Sequence, residues 1–188
     1  MKSKYSSLLA SAGFAALLFT AASANAQVTL GTAADFAVLG GTAVTLTNSV
    51  VIGNVGVDLD GAYTNTNSTV SGTVHVGDLD AQQAYLDFLD AYDALALLSC
   101  DQVISGNLAG QFLTPGVYCV DAASTTTGGT LTLVGSSADT WIFKIGTGGT
   151  GALTGTNFNV VMTSGETCNN NVLWWTAEAA TLTDSVFI

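Results

Sequence analysis

From Gly129 onward the chain never runs far without a break. "GTLTLVG", "DTWIFKIG", "TNFNVVMTSG" and "NVLWWTAE" are apolar runs of a few residues, each bounded by Gly, Ser, Asn or Thr. Runs this short, rich in β-branched and aromatic residues, read as buried strands separated by turns. The same texture fills Val28 to about Val76, in "FAVLGG", "AVTLTNSVVIGNVGV" and "STVSGTVHVG". Between the two zones, "AQQAYLDFLDAYDALALL" (81–98) changes character. Tyr85, Phe88, Leu89, Tyr92 and Leu95 recur at helical spacing, Gly and Pro are absent, and Asp78 or Asp80 is placed to cap the start. The order is strands, one helix, strands.

In the last zone the breaks come too close together for sandwich strands with long loops and too irregularly for a strict hexapeptide repeat. A parallel β-solenoid fits best: each strand is one side of a coil, and stacking buries a continuous core of Val, Ile, Leu and Phe. A β-sandwich is the alternative on pattern alone.

The first residues stand apart from this scheme. Lys2 and Lys4 precede the apolar stretch "LLASAGFAALLFTAA", and Ala24-Asn25-Ala26 is a small-x-small cleavage site. This reads as a signal peptide over 1–26, too short and wrongly flanked for a membrane anchor. The expected mature chain, 27–188, is exported and forms one domain. Lys144 is then its only basic residue, in a sequence whose net charge is already −11. So acidic a chain is repelled by nucleic acid and by anionic membrane surfaces.

Three cysteines in an exported chain point to one disulfide and one remaining thiol. Cys100 and Cys119 bracket a loop short enough to close, and are the favoured pair; Cys168 is left over. One His and no Cys-x-x-Cys argue against zinc. Catalysis finds little support. His75 has no nucleophile elbow to serve, and reads as an ordinary strand residue. The pairs Asp58/Asp60 and Asp78/Asp80 could in principle act as acid and base. Both, however, sit in Gly-flanked turns, one of them where the helix starts, so capping and solvation explain them. They also lack the Asp-x-Asp-x-Asp-Gly loop of a calcium site. The expectation is a non-enzyme with no metal and no cofactor.

In order, "LGTAADFAVLGGTAVTLTNSVVIGNVGV", the helix, "LTPGVYCVDAAS", "GTLTLVGSSADTWIFKIG" and "NNNVLWWTAEAATLTDSVFI" resemble the signature segments of the secreted ice-binding proteins of cold-environment microbes. The resemblance covers essentially all of 27–188. It implies a mainly β fold: a discontinuous, right-handed parallel β-solenoid of triangular cross-section, one long α-helix alongside, and a flat face that binds ice. It also implies further coils beyond Phe187-Ile188, where this sequence stops in mid-strand. The implied partner is an ice crystal surface and the expected state a monomer.

Ice offers no charge to grip. A binding face must be flat and rigid and must present hydroxyls and methyls together. Threonine suits this: it is stiff at χ1, residues two apart on a strand lie about 6.5 to 7 Å from each other, and stacked strands lie about 4.8 Å apart. Some family members carry Thr-Ala/Gly-x-Thr/Asn on that face. The pattern recurs here at Thr42–Thr45, Thr127–Thr130, Thr147–Thr150 and Thr154–Asn157, although the last two cannot both lie on one strand face. The expected face is Thr42, Thr45, Thr147, Thr150 and Thr176, with Glu178 on or near it. The alternative function is a cell-surface adhesion or matrix module on the same scaffold, binding glycan or protein around Trp174 and Trp175.

Overall fold

The computed structural model describes residues 28–165 and 171–186; the expected signal peptide and Cys168 lie outside them. Its strands form coils of up to three legs. The first coil comprises β1 (Phe36–Gly40), β2 (Ala43–Thr47) and β3 (Val50–Val51). The second comprises β4 (Asn54–Val57), β5 (Ala62–Thr66) and β6 (Thr69–Val70). A third turn begins with β7 (Val74–Val76) and gives way to α1 (Leu79–Leu97). After the helix, β8 (Gln102–Val103) and β9 (Phe112–Leu113) start a second stack. It continues through β10 (Gly116–Val120), β11 (Ser124–Thr127) and β12 (Thr130–Leu133), then β13 (Trp141–Ile145), β14 (Leu153–Thr156) and β15 (Asn159–Met162). It ends with β16 (Val172–Thr176) and β17 (Ala180–Thr183).

Every strand pairing is parallel, between equivalent legs of successive coils, which rules out the antiparallel sandwich. First legs stack as β1-β4-β7 and β16-β13-β10-β8, second legs as β2-β5 and β11-β14-β17, third legs as β3-β6 and β15-β12-β9. Three legs per coil make a triangular solenoid, right-handed as parallel crossovers require. Alternation sends one set of side chains inward. In the second stack these include Leu131, Leu133, Phe158 and Val160, with Tyr118, Phe143 and Trp174 in register and stacked at 5.7 and 4.2 Å between ring centroids. Val44, Leu46, Val51, Val55 and Val57 fill the first stack.

The helix starts where its sequence says it should. Asp78 is the N-cap, its Oδ1 accepting the Ala81 N–H at 2.9 Å. Its buried stripe is not the aromatic one read from the spacing. Ala81, Ala84, Ala91 and Leu95 face inward, while Phe88 and Leu89 are partly exposed. Small residues let the helix lie close against β1, β4, β7 and β16. Asp87 reaches a 3-10 turn, Gly31–Asp35, accepting both the N–H and the hydroxyl of Thr32 at 2.7 Å.

The outer face of the first legs is therefore covered, and β13 is buried along its whole length. One outward row shows how. Cys119, Lys144 and Trp175 stand in register on β10, β13 and β16, and each holds the helix or its exit by a different chemistry. Cys119 is bonded to Cys100 just past the helix. Lys144, 4% exposed, donates from Nζ to the carbonyls of Ala96 and Leu98 at 2.8 and 2.6 Å, occupying acceptors that a helix C-terminus leaves open. Burial holds its amine below the usual lysine range. Trp175 packs on Tyr92 at 5.1 Å, and the Tyr92 hydroxyl donates to the Thr176 carbonyl.

No strand pairing joins the two stacks among the described residues. Among the described residues β1 and β16 each stand last in their sheet, and a cleft of about 640 Å³ is lined by Leu30, Phe36, Val117, Ile142, Val172 and Leu173. The helix bridges the two stacks.

Replacing Lys144 with Met removes the donor from two part-buried helix-end carbonyls and should cost about 1–3 kcal/mol, read as a lowered midpoint in urea; an unchanged midpoint would show that the lysine is not a clasp. The Asp87 carboxyl is held below its ordinary value, first by the Thr32 N–H, then by the Thr32 hydroxyl and Gln83. A depressed carboxylate stabilises above its unfolded value, 3.8, and that contribution fades as pH falls through the lower folded value. Asp87→Asn is therefore expected to flatten the acid limb of stability below about pH 3.8, measured as thermal midpoint against pH.

Candidate functional site

Two legs of the triangle are open to solvent. On the second leg the outward residues repeat: Thr45 and Thr47 on β2, Thr64 and Thr66 on β5, Thr125 and Thr127 on β11, Thr154 and Thr156 on β14, Thr181 and Thr183 on β17. Pairing sets them in columns. Thr45 and Thr47 stand opposite Thr64 and Thr66. Thr125, Thr154 and Thr181 form one column and Thr127, Thr156 and Thr183 the next. Between them Val44, Leu46, Thr126 and Leu153 point into the core. Rows about 4.8 Å apart and columns about 6.6 Å apart follow from strand geometry. α1 packs on first legs of both stacks, β1, β4 and β7 in one and β16 in the other.

The corner after each Thr-x-Thr makes the array regular. Two residues always follow before the third leg: Asn48-Ser49, Asn67-Ser68, Gly128-Gly129, Asn157-Phe158 and Asp184-Ser185. The first of each pair has positive φ, between 48° and 68°. Asn and Asp tolerate that region and Gly enters it freely, which explains the choice of residue. Serines in the second position cross-link coils: Ser68 Oγ accepts the Ser49 N–H at 2.9 Å and Ser185 Oγ accepts the Phe158 N–H at 3.2 Å. The array stops toward β8. There Ser105–Gly110 is irregular, held by buried Ser124, whose Oγ donates to the Gly106 carbonyl, and buried Thr126, whose Oγ1 accepts the Leu108 N–H.

The charges lie elsewhere. No Asp, Glu, Lys, Arg or His falls within a strand of the second or third leg. Asp58, Asp60, Asp121 and Glu178 sit at corners between first and second legs, and Asp78, Asp80, Asp87, Asp90 and Asp93 on or beside the helix. His75 Nδ1 lies 2.8 Å from Asp78 Oδ2 and 3.8 Å from Asp80. The Ala81 N–H, aided by His75, holds the Asp78 carboxyl below its ordinary value, as befits a helix cap. Among the described residues no group of three or more His, Cys, Asp or Glu is placed to hold a metal ion.

A family model described as Ice-binding-like matches residues 25–187. The chain belongs to that family. It is 36% identical over 183 residues to an ice-binding protein of Nostoc sp. (strain HG1), a match covering 95% of this chain and 66% of that protein. The chain thus spans less than two thirds of that relative's length. The fold is similar to the crystal structure of an ice-binding protein from the Antarctic ascomycete Antarctomyces psychrotrophicus, with TM-score 0.72, 26% identity, and 83% of this chain and 77% of that one covered. It is also similar to an ice-binding protein from an Antarctic biological consortium, with TM-score 0.75, 28% identity, and 85% and 73% covered.

Within this Ice-binding-like fold, the five threonines of the expected face are scattered. Thr45 stands on the second leg. Thr42 lies in the corner before β2. Thr147 and Thr150 occupy the connection between β13 and β14, where Thr147 Oγ1 donates to Asp121 Oδ1 at 3.1 Å. Thr176 ends β16 and donates to the Glu178 carbonyl, and Glu178 itself accepts the Gly151 N–H at 3.1 Å in the corner. Trp174 stacks on Phe143 and Trp175 on Tyr92 beneath the helix. Thr45 apart, the expected face missed the columns although a signal was present: Thr-x-Thr followed by Asn, Asp or Gly occurs at each second leg.

The corners make a test of the array's support. Asn157, at φ 50°, should accept Gly with little change, whereas Asn157→Val forces a β-branched residue into the left-handed region at about 1–2 kcal/mol, measurable as a shift in urea midpoint that Asn157→Gly does not share.

Proposed function

We propose that the chain is an exported, non-catalytic ice-binding protein that adsorbs to ice through the Thr-x-Thr columns of its second leg, restraining ice growth and recrystallisation. The observation that carries this reading is the in-register array on β11, β14 and β17, which places three threonines in each of two columns. Membership of the Ice-binding-like family and similarity to proteins named for ice binding support it.

The mechanism follows from the side chain. Each threonine offers a methyl that cannot hydrogen-bond beside a hydroxyl that can, and β-branching fixes where both point. Water above the columns is ordered by hydroxyls at lattice-like spacing while the methyls leave it few competing partners. Long charged side chains would hold their own hydration instead, so their exclusion from this leg serves the same end. Adsorption at many equivalent points pins the growth front, which then bulges between bound molecules and advances less readily.

Thr154 sits in the central strand of the larger array. Thr154→Tyr is expected to remove most of the thermal hysteresis and the inhibition of recrystallisation while leaving the circular dichroism spectrum unchanged. Thr150→Tyr, in the β13–β14 connection, should change neither. A folded Thr154→Tyr protein with full activity would place ice binding elsewhere.

A further inference from the structure

We propose that the third leg is a second ice-contacting face, so that the chain engages two crystal planes of different orientation; this rests on the reading of the second leg given above. The observations begin with exposure. Val50 is 77% exposed, Ile52 84%, Phe112 71%, Val161 40% and Val186 61%, all on or directly beside third-leg strands. An acidic chain that keeps charge out of the described strands of a leg while exposing this much apolar surface on it is holding a surface for something uncharged.

The pairing then orders that surface. Phe112, Thr132 and Val161 form one column, Thr130, Asn159 and Val186 another, and Val50 stands opposite Thr69. Hydroxyls of Thr69, Thr130 and Thr132 are therefore interleaved with the methyls of Val50, Val161 and Val186. Val and Thr have nearly the same shape, so this is the second leg's chemistry with a larger apolar share, on the same strand spacing. A protein partner would be expected to find aromatic anchors or a central pocket; among the described residues of this leg the exposed aromatic is Phe112, at the edge of its sheet.

Continuity selects the occupant. The third leg adjoins the proposed ice-binding leg across the two-residue corners, and all but Asp184 among these corner residues are uncharged. Two legs of a triangle meet at a sharp angle, so one flat crystal plane cannot touch both. If both bind ice they bind different planes.

The test is decoration of a growing single-crystal ice hemisphere by the full chain labelled at its terminal amine, with sedimentation velocity alongside. The chain itself should mark two plane orientations. Val161→Lys should lose one and keep the other, Thr154→Tyr should do the reverse, and the near-isosteric Val161→Thr should keep both. If Val161→Lys, folded and monomeric, marks every plane that the unaltered chain marks, the third leg does not bind ice and the second-leg reading stands. If Thr154→Tyr keeps all planes while Val161→Lys loses one, the second-leg reading fails and the third leg is itself a binding face. If the unaltered chain sediments as a dimer that Val161→Lys dissociates without loss of decoration, the occupant is a second copy and the proposal is overturned.

Discussion

Register in the parallel sheets is the constraint on which everything else rests. A strand's side chains alternate between faces, so a slip of one residue on β14 would turn Thr154 and Thr156 into the core and Leu153 out to water. Two things prevent the slip. The apolar alternates Val44, Leu46 and Leu153 have somewhere to go only in the observed register. The left-handed residue after every second leg fixes where the strand must turn, since, Gly129 beside Gly128 apart, neither of its neighbours is suited to that conformation at so little cost. The outward columns are thus a by-product of inward packing and corner chemistry, and they inherit the rigidity of both.

The same economy governs charge. Burying both faces of β13 uses up the first leg, so the helix that covers it becomes the natural carrier of the aspartates. One lysine is admitted beneath it, and there the side chain is turned from a solvated cation into a cap for the helix terminus. Acidic residues elsewhere keep to corners, where chain reversal already exposes polar backbone. The protein carries a net charge of −11 and yet shows water two legs whose described strands are uncharged.

Much of this was legible in the sequence. The strand–helix–strand order, the helix limits to within a residue or two, and the aspartate cap follow from local rules that tertiary structure had no reason to override. The buried helix stripe did not follow, because close packing against the sheet selected alanines over the larger residues that dominate a periodicity count. The site was harder. Register partners such as Thr45 and Thr64, Thr125 and Thr154, or Trp141 and Val172 are separated by unequal lengths of chain, since connections between legs vary, and no fixed period reveals the repeat. The four-residue threonine pattern also joins positions three apart, which a strand sends to opposite faces. Thr127 and Thr130 even belong to different legs. Only an even spacing read together with the corner residue picks out the columns.

The helix has one more consequence. Among the described residues no strand pairing runs between the two stacks, and α1 packs on both. The helix is anchored to one stack through Asp87 and to the other through Tyr92 and Lys144. Its rise of about 1.5 Å per residue is not commensurate with a strand spacing of about 4.8 Å. The helix is therefore a spacer ruled in a different unit from the two gratings it touches.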